Sequence, residues 1–346
     1  MTIGIGVIGY GYWGPNLVRN FMSTAHVRVV GIAERRADVR ASLAQSAPAI
    51  SVFESEEELI ARDDIDAVVI ATPVSTHYPL AKAALAKGKH VLVEKPLASS
   101  SAEVEDLIAH AEKGGRVLMV DHTFLFTGAV QTMTQLVRRG ELGDVCYIDS
   151  TRVNLGLFQP DVNCLWDLAP HDLSIIDQLI GSDIVSINAT GYGHIDPMRP
   201  DMVFLTLHYA NKQVAHFNLS WMSPVKVRRF TVGGTKKMLV WDDLDQDQKI
   251  KIYDHGIEFQ QEDQRTTILP EYRIGDIYSP LVSRKEALKG VAEHFIQVIR
   301  GEAQSTMDGQ RGLRVVRILE AAQTELDRNL QIVARKRQAV LQGATN

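Results

Sequence analysis

The stretch Ile5-Gly6-Val7-Ile8-Gly9-Tyr10-Gly11-Tyr12-Trp13-Gly14 decides the fold. An apolar strand, Ile3–Ile8, gives way to glycines at G-x-G-x-x-G spacing, and a helical pattern over Pro15–Met22 follows. Gly9 permits the tight turn, Gly11 lets the backbone approach a pyrophosphate, and Gly14 allows close helix–strand packing. The free N–H groups at the helix start would meet the diphosphate, with Tyr12 and Trp13 carried in the same turn. Glu34 closes the next apolar strand, Val27–Ala33. An acid there accepts hydrogen bonds from the ribose hydroxyls and repels a 2′-phosphate, which favours NAD over NADP. Arg35 and Arg36 follow at once, and would either welcome that phosphate or stand as exposed loop charges.

The same rhythm continues to about residue 122. Strands over Asp66–Ala71, His90–Val93 and Val117–Val120 alternate with helical stretches over Tyr78–Lys87 and Ser101–Glu112. Alternating units of this kind predict a parallel sheet with helices on both faces, an α/β dinucleotide-binding Rossmann domain over 1–122. After a helix near Ala129–Arg139 the period changes. Val145–Val153, Ile184–Tyr192, Met202–Tyr209, Gln213–Trp221, Lys226–Val232, Lys237–Trp241 and Lys249–Tyr253 read as consecutive strands. Several alternate apolar and polar residues, which predicts a mainly antiparallel sheet with one covered face. Helices over Arg284–Arg300 and Gly309–Asn329 close this α+β domain, 123–346, and are expected to return to the first.

Open α/β sheets bind ligands at the carboxyl ends of their strands, so the residues there are the candidates. Ala71-Thr72-Pro73-Val74-Ser75-Thr76-His77 is one such end. Thr72 and Pro73 would flank the cofactor, and His77 is either a neighbour of nicotinamide or ribose or a plain helix-start histidine. His90-Val91-Leu92-Val93-Glu94-Lys95-Pro96 is another, and delivers a single flexible cation, Lys95, at a turn that Pro96 enforces. Further on, Trp166-Asp167-Leu168-Ala169-Pro170-His171-Asp172 begins a helix whose i, i+4 spacing sets Asp167 and His171 on one face. Asp167 as the N-cap is the alternative, weakened by Pro170, which removes an N–H that such a cap would accept. A histidine near a helix N-terminus is disfavoured as a cation and so is suited to accept a proton. Asp172 is expected to face away.

Composition narrows the class. The 346 residues carry a net charge of −5, with 45% hydrophobic and 23% charged residues, and offer no basic tract for nucleic acid or an anionic membrane. Cys146 and Cys164 are the two cysteines, which excludes a disulfide framework and a four-cysteine zinc site. No metal is expected. Without a basic n-region or an apolar run of about 18 residues, a cytoplasmic protein is expected.

These motifs in this order resemble the glucose–fructose oxidoreductase/inositol dehydrogenase (Gfo/Idh/MocA) family. Gly9 to Gly14, Ala71-Thr72-Pro73 with His77, Glu94-Lys95-Pro96 and Asp167-x-x-x-His171 carry the likeness, which spans nearly the whole chain. The resemblance implies a Rossmann domain followed by an open antiparallel sheet whose face makes subunit contacts in a dimer or tetramer. It also implies roles. His171 would take the proton of a substrate hydroxyl while hydride leaves the same carbon for nicotinamide. Lys95 would stabilise the developing charge on that oxygen. Asp167 would orient the substrate hydroxyls or the histidine. The chain departs from the family in the loop from Asn154 to Trp166, which is longer and carries aromatics. That loop resembles members acting on nucleotide sugars, with Phe158 or Trp166 stacking on sugar or base and Arg152, Asn154 and Asn163 in polar contact. The expected activity is oxidation of a secondary hydroxyl, at C3 of a nucleotide-activated hexose. A free polyol such as an inositol is the second reading, and a non-catalytic dinucleotide sensor the third.

Overall fold

The computed structural model describes residues 2–156, 158–159, 161–258 and 271–343; Leu157 and Pro160 of the long loop lie outside the described residues. The chain divides into two compact units, Met1–Thr127 with Lys285–Glu320, and Gly128–Arg284 with Ala321–Asn346.

In the first unit β1 (Ile3–Ile8), α1 (Gly14–Met22), β2 (Val27–Ala33), α2 (Ala37–Ser46), β3 (Ser51–Phe53), α3 (Glu56–Ile60), β4 (Ala67–Ile70), α4 (His77–Ala86), β5 (His90–Glu94), α5 (Ser101–Gly114) and β6 (Leu118–Asp121) follow in turn. The sheet is parallel throughout, in the order β3-β2-β1-β4-β5-β6. Its reversal point falls between β1 and β4, where both chain directions out of the sheet leave a crevice. Residues of β1 and β4 are buried without a break, as a sheet covered on both faces requires. Local chemistry ends the helices: Ser100 caps α5 by accepting from Glu103 N–H, and Gly115, at φ 60°, ends it in the left-handed region. The alternation of β and α units was legible from apolar runs. Three elements escape such a reading. α2 buries only Leu43, α3 is five residues long, and β3 is a three-residue edge strand.

The second unit runs through α6 (Gly128–Arg138), β7 (Val145–Leu155), α7 (Cys164–Leu179), β8 (Ile184–Tyr192), β9 (Met202–Tyr209), β10 (Val214–Ser220), β11 (Met222–Gly234), β12 (Met238–Asp242), β13 (Ile250–Tyr253), β14 (Gly256–Glu258), β15 (Glu271–Arg273) and β16 (Ile277–Tyr278). Among the described residues its large sheet has the order β16-β13-β12-β11-β7-β10-β9-β8. Every pairing is antiparallel except β7 with β10, so the sheet is mixed. Alternation along β9 buries Val203, Leu205 and Leu207 and leaves Phe204 and His208 exposed.

The chain closes with α8 (Ala287–Ile299) and α9 (Gly309–Gly343). α8 lies in the first unit against α1, with Phe295 edge-on to Phe21 at 6.3 Å. α9 runs on to Gly343, past the Asn329 that its apolar periodicity marks, because residues 331–340 form an exposed extension with no buried stripe to announce it. No helix among the described residues is long and apolar enough to cross a membrane.

Candidate active site

In the first unit the turn after β1 is built as its glycines require. Gly9 sits at φ +91°, and a Cβ there would lie 2.5 Å from the Ala71 carbonyl oxygen. A Cβ on Gly14 would lie 2.6 Å from the Gly9 carbonyl oxygen, so this glycine lets the helix start press onto the turn itself. At Gly11 an added Cβ would meet nothing within 4 Å among the described residues. The fold places no demand on that position, whereas a ligand lying against the backbone would. No side chain among the described residues caps the N-terminus of α1. Its leading N–H groups thus remain suited to an anion.

Beside the turn is a cavity of about 400 Å³, lined by Gly9, Gly11, Glu34, Arg35, Thr72 and Pro73 among others. That volume lies in the range of small-molecule sites, roughly 300–1,000 Å³. Glu34 is 8% exposed, and its carboxylate is fully engaged. Oε2 accepts from Tyr10 N–H at 2.9 Å and from Arg36 Nη2 at 3.3 Å, while Oε1 accepts from Arg36 N–H at 2.9 Å and Nε at 3.1 Å. Burial pushes its pKa up, but the Arg36 side chain and the two backbone donors outweigh that and leave it lowered. A ribose diol must therefore compete with Arg36, which reaches Glu34 from a largely exposed position. Arg35 lines the cavity while ion-paired to Glu56. Tyr12 and Trp13 form an exposed edge-to-face pair outside the cavity lining.

His77 is the first residue of α4 and is 1% exposed. Its ring nitrogens lie 2.8 Å from the Pro96 carbonyl oxygen and 2.9 Å from that of Thr72. It ties together the two strand-end loops that carry Thr72 and Lys95. This corrects the expectation of a nicotinamide or ribose neighbour: the ring is turned inward and used up on the loops. Lys95 stands one residue beyond β5, half-buried, with a cis peptide bond to Pro96. Beside it Glu94 pairs in register with Asp121 at the end of β6, and both carboxyls are buried. Burial pushes both pKa values up, and the Asp121 charge adds to the shift of Glu94, while the Lys95 charge opposes both. Asp121 is a member of this cluster that sequence reading missed. The strand-end argument that singled out Glu94 applies to it equally.

In the second unit α7 starts earlier than its sequence suggested. Asn163, not Asp167, is the N-cap, and its Oδ1 accepts from Leu165 N–H at 3.1 Å and Trp166 N–H at 3.3 Å. His171 consequently lies two turns inside the helix. The N-terminal dipole effect expected for it, which fades beyond the first turn, does not extend that far. Asp167 and His171 do share a face, and both are half-buried. Asp172 is 1% exposed and accepts a bidentate Arg152 at 3.0 and 2.6 Å, together with Ser150 Oγ at 2.9 Å.

That geometry corrects two expected substrate contacts. Arg152 is 4% exposed and is held by a buried carboxylate, because a charge at that depth must be paired. Asn163 spends its oxygen on the cap and its amide on Gln323 Oε1 at 2.8 Å, an acceptor shared with Trp166 Nε1 at 3.2 Å. Trp166 therefore has its polar end engaged within the unit as well. Asn154 is half-buried on β7 and donates to the Leu155 carbonyl at 3.1 Å. Phe158 is 47% exposed and packs on Trp221, with ring centroids 5.2 Å apart.

The chain has clear relatives. Residues 3–122 match the family described as "Oxidoreductase family, NAD-binding Rossmann fold", and residues 130–240 match the "GFO/IDH/MocA C-terminal domain". Over 318 residues the chain is 28% identical to the UDP-N-acetylglucosamine 3-dehydrogenase of Acidithiobacillus ferrooxidans, covering 90% of this chain and 93% of the relative. A solved structure of the enzyme of that name and organism matches with a TM-score of 0.80 at 25% identity, over 95% of this chain and 99% of the other. Inositol 2-dehydrogenase 1 of Saccharopolyspora erythraea is 31% identical over 193 residues, 54% of this chain and 57% of the relative.

Proposed function

Since the chain belongs to the Gfo/Idh/MocA family of NAD-binding oxidoreductases, we propose that it is an NAD-dependent dehydrogenase that oxidises C3 of a nucleotide-activated hexose. The observation that carries this reading is the extent of the likeness to UDP-N-acetylglucosamine 3-dehydrogenase, which runs through both units rather than the cofactor half alone. The inositol dehydrogenase likeness covers about half of the chain and leaves a free polyol as the second reading.

The glycine turn, the start of α1 and the cavity beside Glu34 would hold NAD, which when bound would accept the hydride from the hydroxyl carbon. His171 takes the hydroxyl proton as general base, so that the secondary alcohol becomes a ketone. Lys95 donates a hydrogen bond to the same oxygen and stabilises the negative charge that builds on it as the proton leaves. Asp167 accepts from hydroxyls of the sugar ring and orients it. We also assign the protein to the cytoplasm as a homodimer or homotetramer. Tyr147, Phe204 and Met222 are large apolar side chains left exposed on strands of the large sheet, which supports a face shared between subunits, and analytical ultracentrifugation tests it.

UDP-N-acetylglucosamine, other nucleotide sugars and free cyclitols, each offered with NAD and followed by NADH absorbance, separate the two substrates. Turnover confined to free cyclitols overturns the nucleotide-sugar reading. Lys95→Ala and His171→Ala should each lower kcat by roughly 10²–10⁴-fold, the range for loss of a proton-transfer or charge-stabilising group. Dinucleotide affinity should be retained in both. A wild-type protein that binds NAD and oxidises nothing is the sensor instead.

A further inference from the structure

Trp221 occupies the corner between β10 and β11 and is 1% exposed. Its indole Nε1 donates to Asp167 Oδ2 at 3.1 Å, a contact between residues 54 positions apart. Its carbonyl accepts from Gly156 N–H at 2.9 Å, and its own N–H donates to the Asp201 carbonyl at 2.9 Å. The loop after β7 lies directly on the indole. A Cβ on Gly156 would come within 2.2 Å of Trp221 Cδ1, so only glycine allows this approach, and Phe158 rests on the ring at 5.2 Å with an interplanar angle of 59°.

One side chain therefore touches both parts of the expected sugar site: the carboxylate that would accept ring hydroxyls and an aromatic that is 47% exposed. An indole N–H donates and cannot accept, so this contact fixes one carboxylate oxygen of Asp167 in one orientation. We infer that Trp221 is a positioning and specificity-determining residue. It sets the offset between the Phe158 ring, which would take the apolar face of a hexopyranose, and the Asp167 oxygens that would take its hydroxyls. The inference rests on the dehydrogenase reading and deepens it.

Trp221→Phe removes the donor and keeps a ring under Phe158. Where that variant does not fold, 3-benzothienylalanine at position 221 replaces the N–H by sulfur within the same outline. Kinetics and calorimetric binding of UDP-N-acetylglucosamine are measured for the wild type, the Trp221 variant, Asp167→Asn and the double variant, together with NAD affinity and Tm. The expected result is at least a tenfold loss in kcat/KM with NAD affinity unchanged and the fold retained, Tm falling only by what truncation of a buried indole costs. In the Asp167→Asn background the Trp221 change should add less than threefold. Unchanged sugar kinetics, or losses that multiply in the double variant, overturn the inference while wild-type turnover keeps the dehydrogenase reading. A wild type that neither binds nor oxidises a nucleotide sugar overturns both.

Discussion

The glycine turn after β1 and the first two turns of α7 are both candidate site regions, but they are specified in different ways. At the turn, the residues that shape the site are neighbours in sequence or occupy equivalent places at adjacent strand ends. Gly9 is hemmed by Ala71, Gly14 by Gly9, and Glu34 receives Tyr10 and Arg36. A parallel sheet gathers its carboxyl ends by construction, so a motif read along one strand already implies its surroundings. At α7 the partners come from far along the chain. Asp167 is held from position 221, and Asn163 and Trp166 from Gln323, 160 and 157 residues away. The lesson is that residue type announces a site of the first kind, while in the second kind it announces only candidates, whose commitments depend on tertiary partners.

The largest expected effect tests the first half of that contrast. Gly14→Ala forces a Cβ against a backbone oxygen 2.6 Å away, whereas Gly11→Ala places one in open space. Gly14→Ala should cost about 1–3 kcal/mol of stability, the usual range for overpacking, and NAD affinity with it. Gly11→Ala should leave Tm unchanged and weaken NAD binding by about tenfold, roughly 1.4 kcal/mol. Thermal melts with and without NAD measure both. If the two variants lose stability equally, the glycines are alike and the turn is a folding feature rather than a ligand cradle.

A second test sharpens what lies beneath Lys95. Glu94 has its pKa raised in the fold, to about 8, by burial first and by the Asp121 charge second. A raised folded value means stability that is present below the ordinary carboxylate range and is lost as pH rises through the folded value. Glu94→Gln removes that titration. Its free energy of unfolding should therefore fall less than the wild type's between about pH 6 and about pH 9, with a gap of at least about 1.4 kcal/mol, the equivalent of one pKa unit, as denaturant titrations at each pH would measure. Parallel pH profiles would show that Glu94 is ionised throughout and balanced by Lys95.

Sequence carried the fold far because its devices are local. Strand–glycine–helix order fixed the parallel sheet, and period-2 alternation in segments such as His216-Phe217-Asn218-Leu219-Ser220-Trp221 marked the second. The parallel pairing of β7 with β10 escaped it, since strand alternation reports a covered face and says nothing of the neighbour's direction. α2 escaped because a helix with one buried residue has no stripe to read. In the candidate site, Lys95 stood out by its place at a strand end, and Asp167 and His171 by their i, i+4 spacing. Arg152 read as a polar contact to the substrate because a sequence shows charge without depth, and Trp221 read as an ordinary strand residue because its one polar atom has a partner that no spacing rule names.

The smallest expected effect tests this last point at Asn163, which sequence offers as a substrate contact and structure makes a helix cap. Asn163→Ala removes the acceptor for two N–H groups at the start of α7, and such a loss typically costs about 1 kcal/mol. Asn163→Asp keeps the acceptor, places a negative charge at the helix N-terminus where it is favoured, and gives up only the donor to Gln323. Stability should therefore fall in the alanine variant and largely return in the aspartate variant, with KM for the sugar moving less than twofold in either. A KM that rises severalfold in Asn163→Ala while its melting curve overlays the wild type would restore Asn163 to the substrate. It would also show that the partners of α7 are less fully committed than their hydrogen bonds indicate.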